Sequence, residues 1–296
     1  MKINSIKKPV NSGIKIIEEL LDEHIDESQA LVKVLSVGLC RTDLYVANGR
    51  ITTEQDLILG HEACVEIIDC KRQEIVGLKA AINPLWPDKR FLGLDINGVL
   101  TSFAKLPISQ LITTRENLTP ELIAYLEPIA ASYAIKNCSA VHTGVGAIIG
   151  SGRIADLTYK IAKTMGLNIE FLDSVEYEKF EEFDYPENKY DWIIETQMSQ
   201  WVVSSAIKML KEKGTLIIKS RSHTPIHLIA NDLVKKQITL QGVNYADFHE
   251  SMRWLEKNKA QILPLIGRVY RFEDYKNAFE EAMNCEKNKI FIKVSE

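Results

Sequence analysis

A short apolar strand that runs directly into a glycine-rich turn and a helix constrains the fold of this 296-residue chain more than any other feature. Residues 146–150 read GAIIG, and residues 150–155 read GSGRIA, which has the form G-x-G-x-x-A. After the turn, apolar residues recur at helical spacing as far as Met165. Short apolar strands then alternate with helical segments up to residue 243. This alternation predicts an α/β fold with a doubly wound parallel sheet covered by helices.

The glycine turn has the residue types that a dinucleotide pyrophosphate requires. Gly150 allows the tight turn, Gly152 allows the backbone to approach the phosphates, and a small third residue lets the helix pack on its strand. The N-terminus of the helix would hold the anion. Ser151, Arg153 and Ile154 complete the turn, and the Arg153 side chain is expected either at the pyrophosphate or in solvent.

Asp173 ends the next predicted strand, where a carboxylate can accept hydrogen bonds from the ribose hydroxyls. Its charge would repel a 2′-phosphate, so the sequence favours NAD(H) over NADP(H). The alternative is a glycine turn without a ligand, with Asp173 as a solvated acid at a strand end.

The remainder of the chain has a different pattern. Strands are predicted over 30–39, 63–69 and 79–84, and Thr119-Pro120-Glu121 has the residue types of a helix start. The last segments, a helix over 272–283 and a strand over 289–294, could return to pack on these N-terminal strands.

A thiol, an imidazole and carboxylates in the N-terminal part form a candidate metal site. Cys40 stands in VGLCRTD, and His61 with Glu62 stands in LGHE. A thiolate and an imidazole suit zinc, and a catalytic zinc takes about three protein ligands. Glu62 or Glu127 could be the third.

Each of these residues also has a simpler interpretation. Cys40 could be a buried apolar-like residue, His61 a structural histidine, and Glu62 an acid that orients a ligand. Pro128 disfavours helical dihedrals at Glu127, which indicates either a kink that turns this carboxylate inward or a helix boundary.

Composition excludes several classes of protein. The net charge of −4 provides no basic surface for nucleic acid or anionic lipid. No apolar run reaches the length of a membrane span, and the N-terminus lacks the apolar core of a signal peptide, so a cytoplasmic location is expected. Five scattered cysteines without a C-x-x-C pair argue against disulfides and against a four-cysteine structural zinc.

Together these motifs resemble the zinc-containing medium-chain dehydrogenases, in particular the alcohol, polyol and threonine dehydrogenases. VGLCRTD resembles the family's G-x-C-x-[ST]-D segment, GHE at 60–62 its G-H-E, IVGLKA at 75–80 its V-G-D-R-V turn, and LEP at 126–128 the E-P of the polyol branch. The resemblance covers almost the whole chain. It implies a GroES-like β domain over 1–135 and 260–296 and a Rossmann NAD-binding domain over 136–259.

The resemblance also implies roles for individual residues. Cys40 and His61 would bind one catalytic zinc, with Glu62 and Glu127 as alternating or additional ligands. Thr42 would hydrogen-bond the substrate oxygen and relay its proton, and Asp43 would orient the ligands. The implied reaction is hydride transfer between a secondary alcohol or polyol, or the matching ketone, and NAD(H), in a homodimer or homotetramer.

Some positions depart from the family pattern. The lobe that would hold a structural zinc is missing, and Thr196, a candidate cofactor contact, precedes Gln197 where a glycine is common. Tyr45 stands where a relay histidine is common, and either its phenol replaces the histidine as the proton relay or the proton leaves through water. The short acidic segment between Asp173 and Asp191 predicts a truncated third βα unit. These departures leave two alternatives, a non-catalytic or redox-sensing dinucleotide-binding protein and a zinc-free quinone or enoyl reductase, although the latter lacks the Cys/His/Glu set.

Overall fold

The computed structural model describes residues 1–174, 186–222 and 224–295 and divides into two compact units. Met1–Pro128 and Phe248–Glu296 form the first unit, and Ile129–Asp247 form the second. The predicted division, 1–135 with 260–296 against 136–259, assigns residues 248–259 of the helix over 248–262 to the other unit. That helix belongs with the N-terminal strands, where the Thr114 hydroxyl donates a hydrogen bond to Glu256 at 2.7 Å.

The first unit is built on two sheets. One has the strand order β2-β1-β4, and the other has the order β14-β15-β3-β5-β6-β8, with β7 also paired to β3. The strands are β1 (Lys2–Lys8), β2 (Lys15–Leu20), β3 (Gln29–Gly38), β4 (Leu57–Ile58), β5 (Glu62–Cys70), β6 (Lys79–Ile82), β7 (Phe103–Pro107), β8 (Leu111–Thr114), β14 (Ile266–Arg271) and β15 (Lys289–Lys293).

The C-terminal strand completes this unit. β15 pairs antiparallel with β3, with Phe291 opposite Gly38, and β3 pairs antiparallel with β5, with Gly38 opposite Glu62. Three segments far apart in the sequence therefore lie side by side. The predicted return of the C-terminus to the N-terminal strands is confirmed.

The helices of the first unit are α1 (Arg41–Ala47), α2 (Pro120–Ala124), α7 (Phe248–Ile262) and α8 (Tyr275–Asn284), and α3 (Leu126–Tyr133) runs from it into the second unit. The Thr119 hydroxyl accepts a hydrogen bond from the Leu122 N–H, so α2 starts at the predicted cap. Tyr125 ends α2, which places Pro128 in the first turn of α3, where proline is tolerated. Pro128 therefore marks a helix boundary rather than a kink inside one helix.

The second unit contains a five-stranded parallel sheet of order β10-β9-β11-β12-β13. The strands are β9 (Gly146–Gly150), β10 (Ile169–Asp173), β11 (Tyr190–Glu195), β12 (Leu210–Ile218) and β13 (Thr239–Gly242), and the helices are α4 (Gly152–Thr164), α5 (Gln200–Met209) and α6 (Ala230–Lys236). This arrangement confirms the predicted α/β class. The predicted truncation of the third βα unit falls largely on residues 175–185, outside the described residues.

The strand order fixes where a ligand would bind in the second unit. β10 and β11 lie on opposite sides of β9, so the order reverses at β9. Ligands of doubly wound sheets bind at the carboxyl ends of the strands that flank such a reversal. Residues after β9 and β11 are therefore the ones that a ligand would meet.

In the described part of the chain, we find no helix that combines the length and the hydrophobicity needed to cross a membrane.

Candidate metal centre and dinucleotide turn

Cys40, His61 and Glu62 come together at one end of the β3–β5 pair. One potential ligand atom from each residue lies within 4.8 Å of the others. Cys40 follows β3 as the N-cap of α1, and His61 immediately precedes β5, which begins at Glu62. His61 and Glu62 are buried, whereas Cys40 is partly exposed. A soft thiol, an imidazole and a carboxylate at this spacing suit zinc, and the exposure at Cys40 leaves access from one side.

Asp43 holds in place the chain segments that carry Cys40 and His61. Its carboxylate is fully buried and accepts hydrogen bonds from the Cys40 N–H and the Gly60 N–H, both at 2.9 Å. Because one donor precedes α1 and the other precedes His61, Asp43 fixes two separate segments at once. Burial alone would raise the pKa of Asp43, but His61 and the two N–H groups outweigh it and lower the pKa.

Asp43 also lies against the imidazole of His61. Its Oδ1 atom is 3.3 Å from Nδ1 of the ring, although Nδ1 makes no aligned hydrogen bond. Burial favours the neutral ring, but the Asp43 carboxylate outweighs it and raises the pKa of His61 well above its ordinary value. A carboxylate beside the inner nitrogen of a metal-binding histidine orients the ring and makes it a better ligand.

Glu62 makes an ion pair that the sequence did not predict. Its Oε2 atom accepts a hydrogen bond from Nζ of Lys289 at the start of β15, and both side chains are about 2% exposed or less. Lys289 also lies 3.4 Å from the Leu39 carbonyl and over the ring of Tyr125. Burial raises the pKa of Glu62, Lys289 lowers it, and Glu127 raises it, with a raised pKa as the net result.

Glu127 lies near the cluster but is not among its three members. Its side chain is buried, and its charge acts on Glu62. The structure therefore brings together Cys40, His61 and Glu62, and a ligand role for Glu127 stays a prediction.

The two predicted proton-relay residues lie on α1, in different surroundings. The Thr42 hydroxyl is 3.9 Å from Sγ of Cys40, so it lies beside the cluster. Tyr45, one turn further along, interacts through its side chain with Arg41, and the guanidinium of Arg50 lies 5.4 Å from its ring. Thr42 thus lies next to the candidate metal site, and the relay roles of Thr42 and Tyr45 stay predictions.

In the second unit, the glycine turn has the expected geometry. Gly152 adopts φ +74°, a backbone conformation that is strained for any residue with a side chain. A Cβ atom at Gly150 would overlap the Thr196 hydroxyl. Asp173 lies opposite Gly150 in the β10–β9 register. The predicted acid and the predicted turn are therefore neighbours at the carboxyl edge of the sheet.

Two other residues of the turn have different surroundings. Arg153 stands in the first turn of α4 with only 9% exposure, which contradicts the solvent alternative, and its placement at the pyrophosphate stays a prediction. Ile154 is half-buried in the same turn.

A hydrogen-bonded bridge crosses the carboxyl edge at this point. Oε1 of Gln197, two residues after β11, accepts hydrogen bonds from the hydroxyls of Ser151 at 2.6 Å and Ser174 at 3.1 Å. Gln197 was visible in the sequence only as a departure from the family pattern. The sequence held one signal for the buried Lys289, which is its position as a lysine at the start of a largely apolar strand.

Comparison with known proteins gives consistent results. Residues 26–114 match the family model of the alcohol dehydrogenase GroES-like domain. The chain is 25% identical to a sorbitol dehydrogenase of Bacillus subtilis, over 90% of each chain, and 20% identical to an L-idonate 5-dehydrogenase (NAD(P)(+)) of Escherichia coli, over 91% of this chain and 92% of the relative.

Solved structures show the same fold over the full length. The crystal structure of L-idonate 5-dehydrogenase from Escherichia coli superposes with a TM-score of 0.85 at 19% identity, over 99% of both chains. A putative zinc-binding dehydrogenase from Sinorhizobium meliloti, bound to NADP, gives a TM-score of 0.85 at 16% identity, over 99% of this chain and 100% of the other. Residues 26–114 thus match the GroES-like domain, and the chain has the same fold as these dehydrogenase structures.

Proposed function

We propose that this protein is a zinc-dependent oxidoreductase that transfers hydride between a secondary alcohol or polyol, or the matching ketone, and NAD(H). The observation that carries the proposal is the grouping of Cys40, His61 and Glu62 with their potential ligand atoms within 4.8 Å. We expect one catalytic zinc per chain on these residues, with Glu127 as an alternating ligand, and no structural zinc. None of the five cysteines, all of which lie in the described part of the chain, forms a disulfide, which agrees with a reducing, cytoplasmic location.

The residues around the cluster have clear tasks in such a reaction. A zinc ion bound here would act as a Lewis acid on a substrate hydroxyl and lower its pKa. Asp43 keeps the Cys40 and His61 segments in place through its two N–H bonds. The Thr42 hydroxyl lies 3.9 Å from Sγ of Cys40. In the proposed reaction it would hydrogen-bond the substrate oxygen and accept its proton at Oγ1 while passing its own proton to solvent.

The relatives and the site support a small, polyhydroxylated substrate. The relatives named above are dehydrogenases of sorbitol and L-idonate. In this chain the ring of Phe91 packs edge-on against His61 at 5.1 Å between centroids, so an apolar wall borders the cluster. We expect a carbon chain to lie on that wall while hydroxyls face the polar residues.

The experiment that tests the proposed function is a panel of alcohols and polyols with NAD⁺, followed by NADH absorbance, on protein of measured zinc content. We expect turnover that is lost with a chelator and restored by zinc. Protein that contains no zinc after gentle purification, and that gains no activity from added zinc, would contradict the proposal.

A preference for NAD(H) gives a separate prediction. Asp173→Ala removes the carboxylate opposite Gly150, so we expect NADH to bind about 10–100-fold more weakly, because hydrogen bonds to a charged group are lost. NADPH should bind as well as before or better, since the repulsion of its 2′-phosphate is also removed. Fluorescence titration with both cofactors measures the two changes, and equal weakening for both would contradict the assignment.

The surroundings of Tyr45 support one alternative function. A relay histidine is common at this position, and the Tyr45 that replaces it interacts with Arg41 and Arg50, which favours loss of the relay. A non-catalytic or redox-sensing dinucleotide-binding protein would tolerate that loss. Such a protein would bind NADH and zinc yet show no turnover with any member of the panel.

We expect a homodimer or homotetramer. β13 forms one end of the sheet order in the second unit, and apolar side chains at Ile229, Val234 and Leu240 are exposed on and near it. An unpaired strand edge with exposed apolar groups favours pairing with a second copy. Light scattering coupled to size-exclusion chromatography would determine the assembly.

A further inference from the structure

The carboxamide of Gln197 connects the ends of three adjacent strands in the second unit. Ser151 follows β9, Ser174 follows β10 and Gln197 lies just after β11. The Ser151 hydroxyl donates to Oε1 of Gln197 at 2.6 Å, and the Ser174 hydroxyl donates to the same atom at 3.1 Å. The bridge therefore spans the reversal of strand order at β9, which is the ligand-binding edge of a doubly wound sheet.

The hydrogen-bond capacity of these groups limits what the bridge can still do. A serine hydroxyl has one proton to donate, and an amide oxygen has two lone pairs. In this arrangement both protons and both lone pairs are used. The NH₂ group of Gln197 carries two donors, and its side chain is exposed. Toward a ligand, Gln197 can therefore donate but cannot accept.

The acidic neighbour complements this donor. Asp173 ends β10 directly before Ser174 and lies opposite Gly150 in the register. A carboxylate can only accept hydrogen bonds, so it suits the ribose hydroxyl protons. A nearby donor is suited to the oxygens of the same ribose or of the phosphate attached to it.

We propose that Gln197 is a binding residue for the adenosine half of the dinucleotide, with Oε1 fixing Ser151 and Ser174 and Nε2 donating to a ribose or phosphate oxygen. This inference rests on the proposed NAD(H) function and names a residue that sets the affinity of that site. Gln197 acts on the adenosine side because its bridge joins the turn to the strand that carries Asp173. It does not act on the nicotinamide.

Gln197→Leu removes both the bridge and the donor. We expect the dissociation constants of NADH and of ADP-ribose to rise together, by about 3–10-fold, since one or two net hydrogen bonds are lost. Binding of nicotinamide mononucleotide and the zinc content should not change. Isothermal titration with the three ligands measures this pattern.

Gln197→Glu distinguishes hydrogen-bond donation to the ligand from a role that only holds Ser151 and Ser174 in place. Its carboxylate keeps acceptor oxygens for Ser151 and Ser174 but has no donor, and its charge repels a phosphate. We expect this variant to bind ADP-ribose more weakly than Gln197→Leu does. The comparison is made at high ionic strength, which screens the repulsion between the new carboxylate and the phosphates. If Gln197 only clamps the two serines, Gln197→Glu will bind ADP-ribose like the unchanged protein under those conditions, and the proposal is then wrong.

A matched control lies three residues further on. The Gln200 side chain bonds Ser204 and the backbone of His227 instead of the turn, so Gln200→Leu should leave ADP-ribose binding unchanged. Unchanged binding by Gln197→Leu as well would overturn this inference alone. Absence of NADH binding by the unchanged protein would instead overturn the proposed function.

Discussion

Cys40→Ser is expected to abolish alcohol oxidation and to remove most of the zinc from this protein. Cys40 is the softest of the three clustered donors, and a serine hydroxyl is a far weaker zinc ligand than a thiolate. Loss of a group that only orients a ligand already costs about 10–100-fold in metal affinity, so loss of a ligand should cost at least that much. Because Cys40 lies partly exposed at the start of α1, the fold should tolerate the change.

The measurement is zinc per chain by mass spectrometry of the metal, together with kcat/KM for the best substrate of the panel. Cys285→Ser is the matched control. Cys285 is also partly exposed and also caps a helix, since it directly follows α8, but it lies outside the cluster. Both variants should retain NADH binding, since the glycine turn is in the other unit. One zinc per chain retained in Cys40→Ser would exclude Cys40 as a ligand.

Local motifs made much of this fold and site predictable. Thr119 caps α2 as predicted, and GAIIG and its turn form β9 and the start of α4. Cys40 and His61 stand in two separate motifs, and the structure brings them together with Glu62, as expected for side chains that share one site. The cap and the turn were predictable because each depends on a few consecutive residues, whereas the metal role of Cys40 and His61 stays a prediction.

Features that depend on distant segments were not predictable in this way. Lys289 is 227 positions from Glu62, and only the β15–β3–β5 pairing brings them together. The assignment of α7 to the first unit likewise depends on contacts such as Thr114 with Glu256. The bridge of Gln197 requires three strand ends to be adjacent, which the strand order determines and local sequence does not.

The Lys289–Glu62 pair leads to the second large expected effect, on stability. Both groups are almost fully buried, and Glu127 adds a second carboxyl whose charge acts on Glu62. Breaking a buried ion pair from one side costs roughly 3–5 kcal/mol, because the remaining charge is left without compensation. Lys289→Met keeps an unbranched side chain in the same space and removes only the charge, so we expect a loss of that size in protein stripped of metal.

The pH dependence of this loss distinguishes charge from packing. Burial and Glu127 already raise the pKa of Glu62, and removal of Lys289 raises it further. A carboxyl whose folded pKa exceeds its unfolded value destabilises the fold more as pH rises through the folded pKa, because it must then ionise while buried. The deficit of Lys289→Met should therefore be smallest in acid and should grow toward neutral pH, whereas a packing defect would not change with pH.

Urea unfolding of Lys289→Met, Glu62→Gln, the double variant and Lys293→Met measures whether Lys289 and Glu62 stabilise the fold as a pair. Glu62→Gln combined with Lys289→Met should recover much of the stability that Lys289→Met alone loses, because no unpaired charge remains. Lys293→Met is the control, since Lys293 is an exposed lysine on the same strand and its loss should cost within about 0.5 kcal/mol. If the double variant is as unstable as the two single changes added together, then Lys289 and Glu62 are not coupled, and the lysine serves only to fill space between β15 and β5.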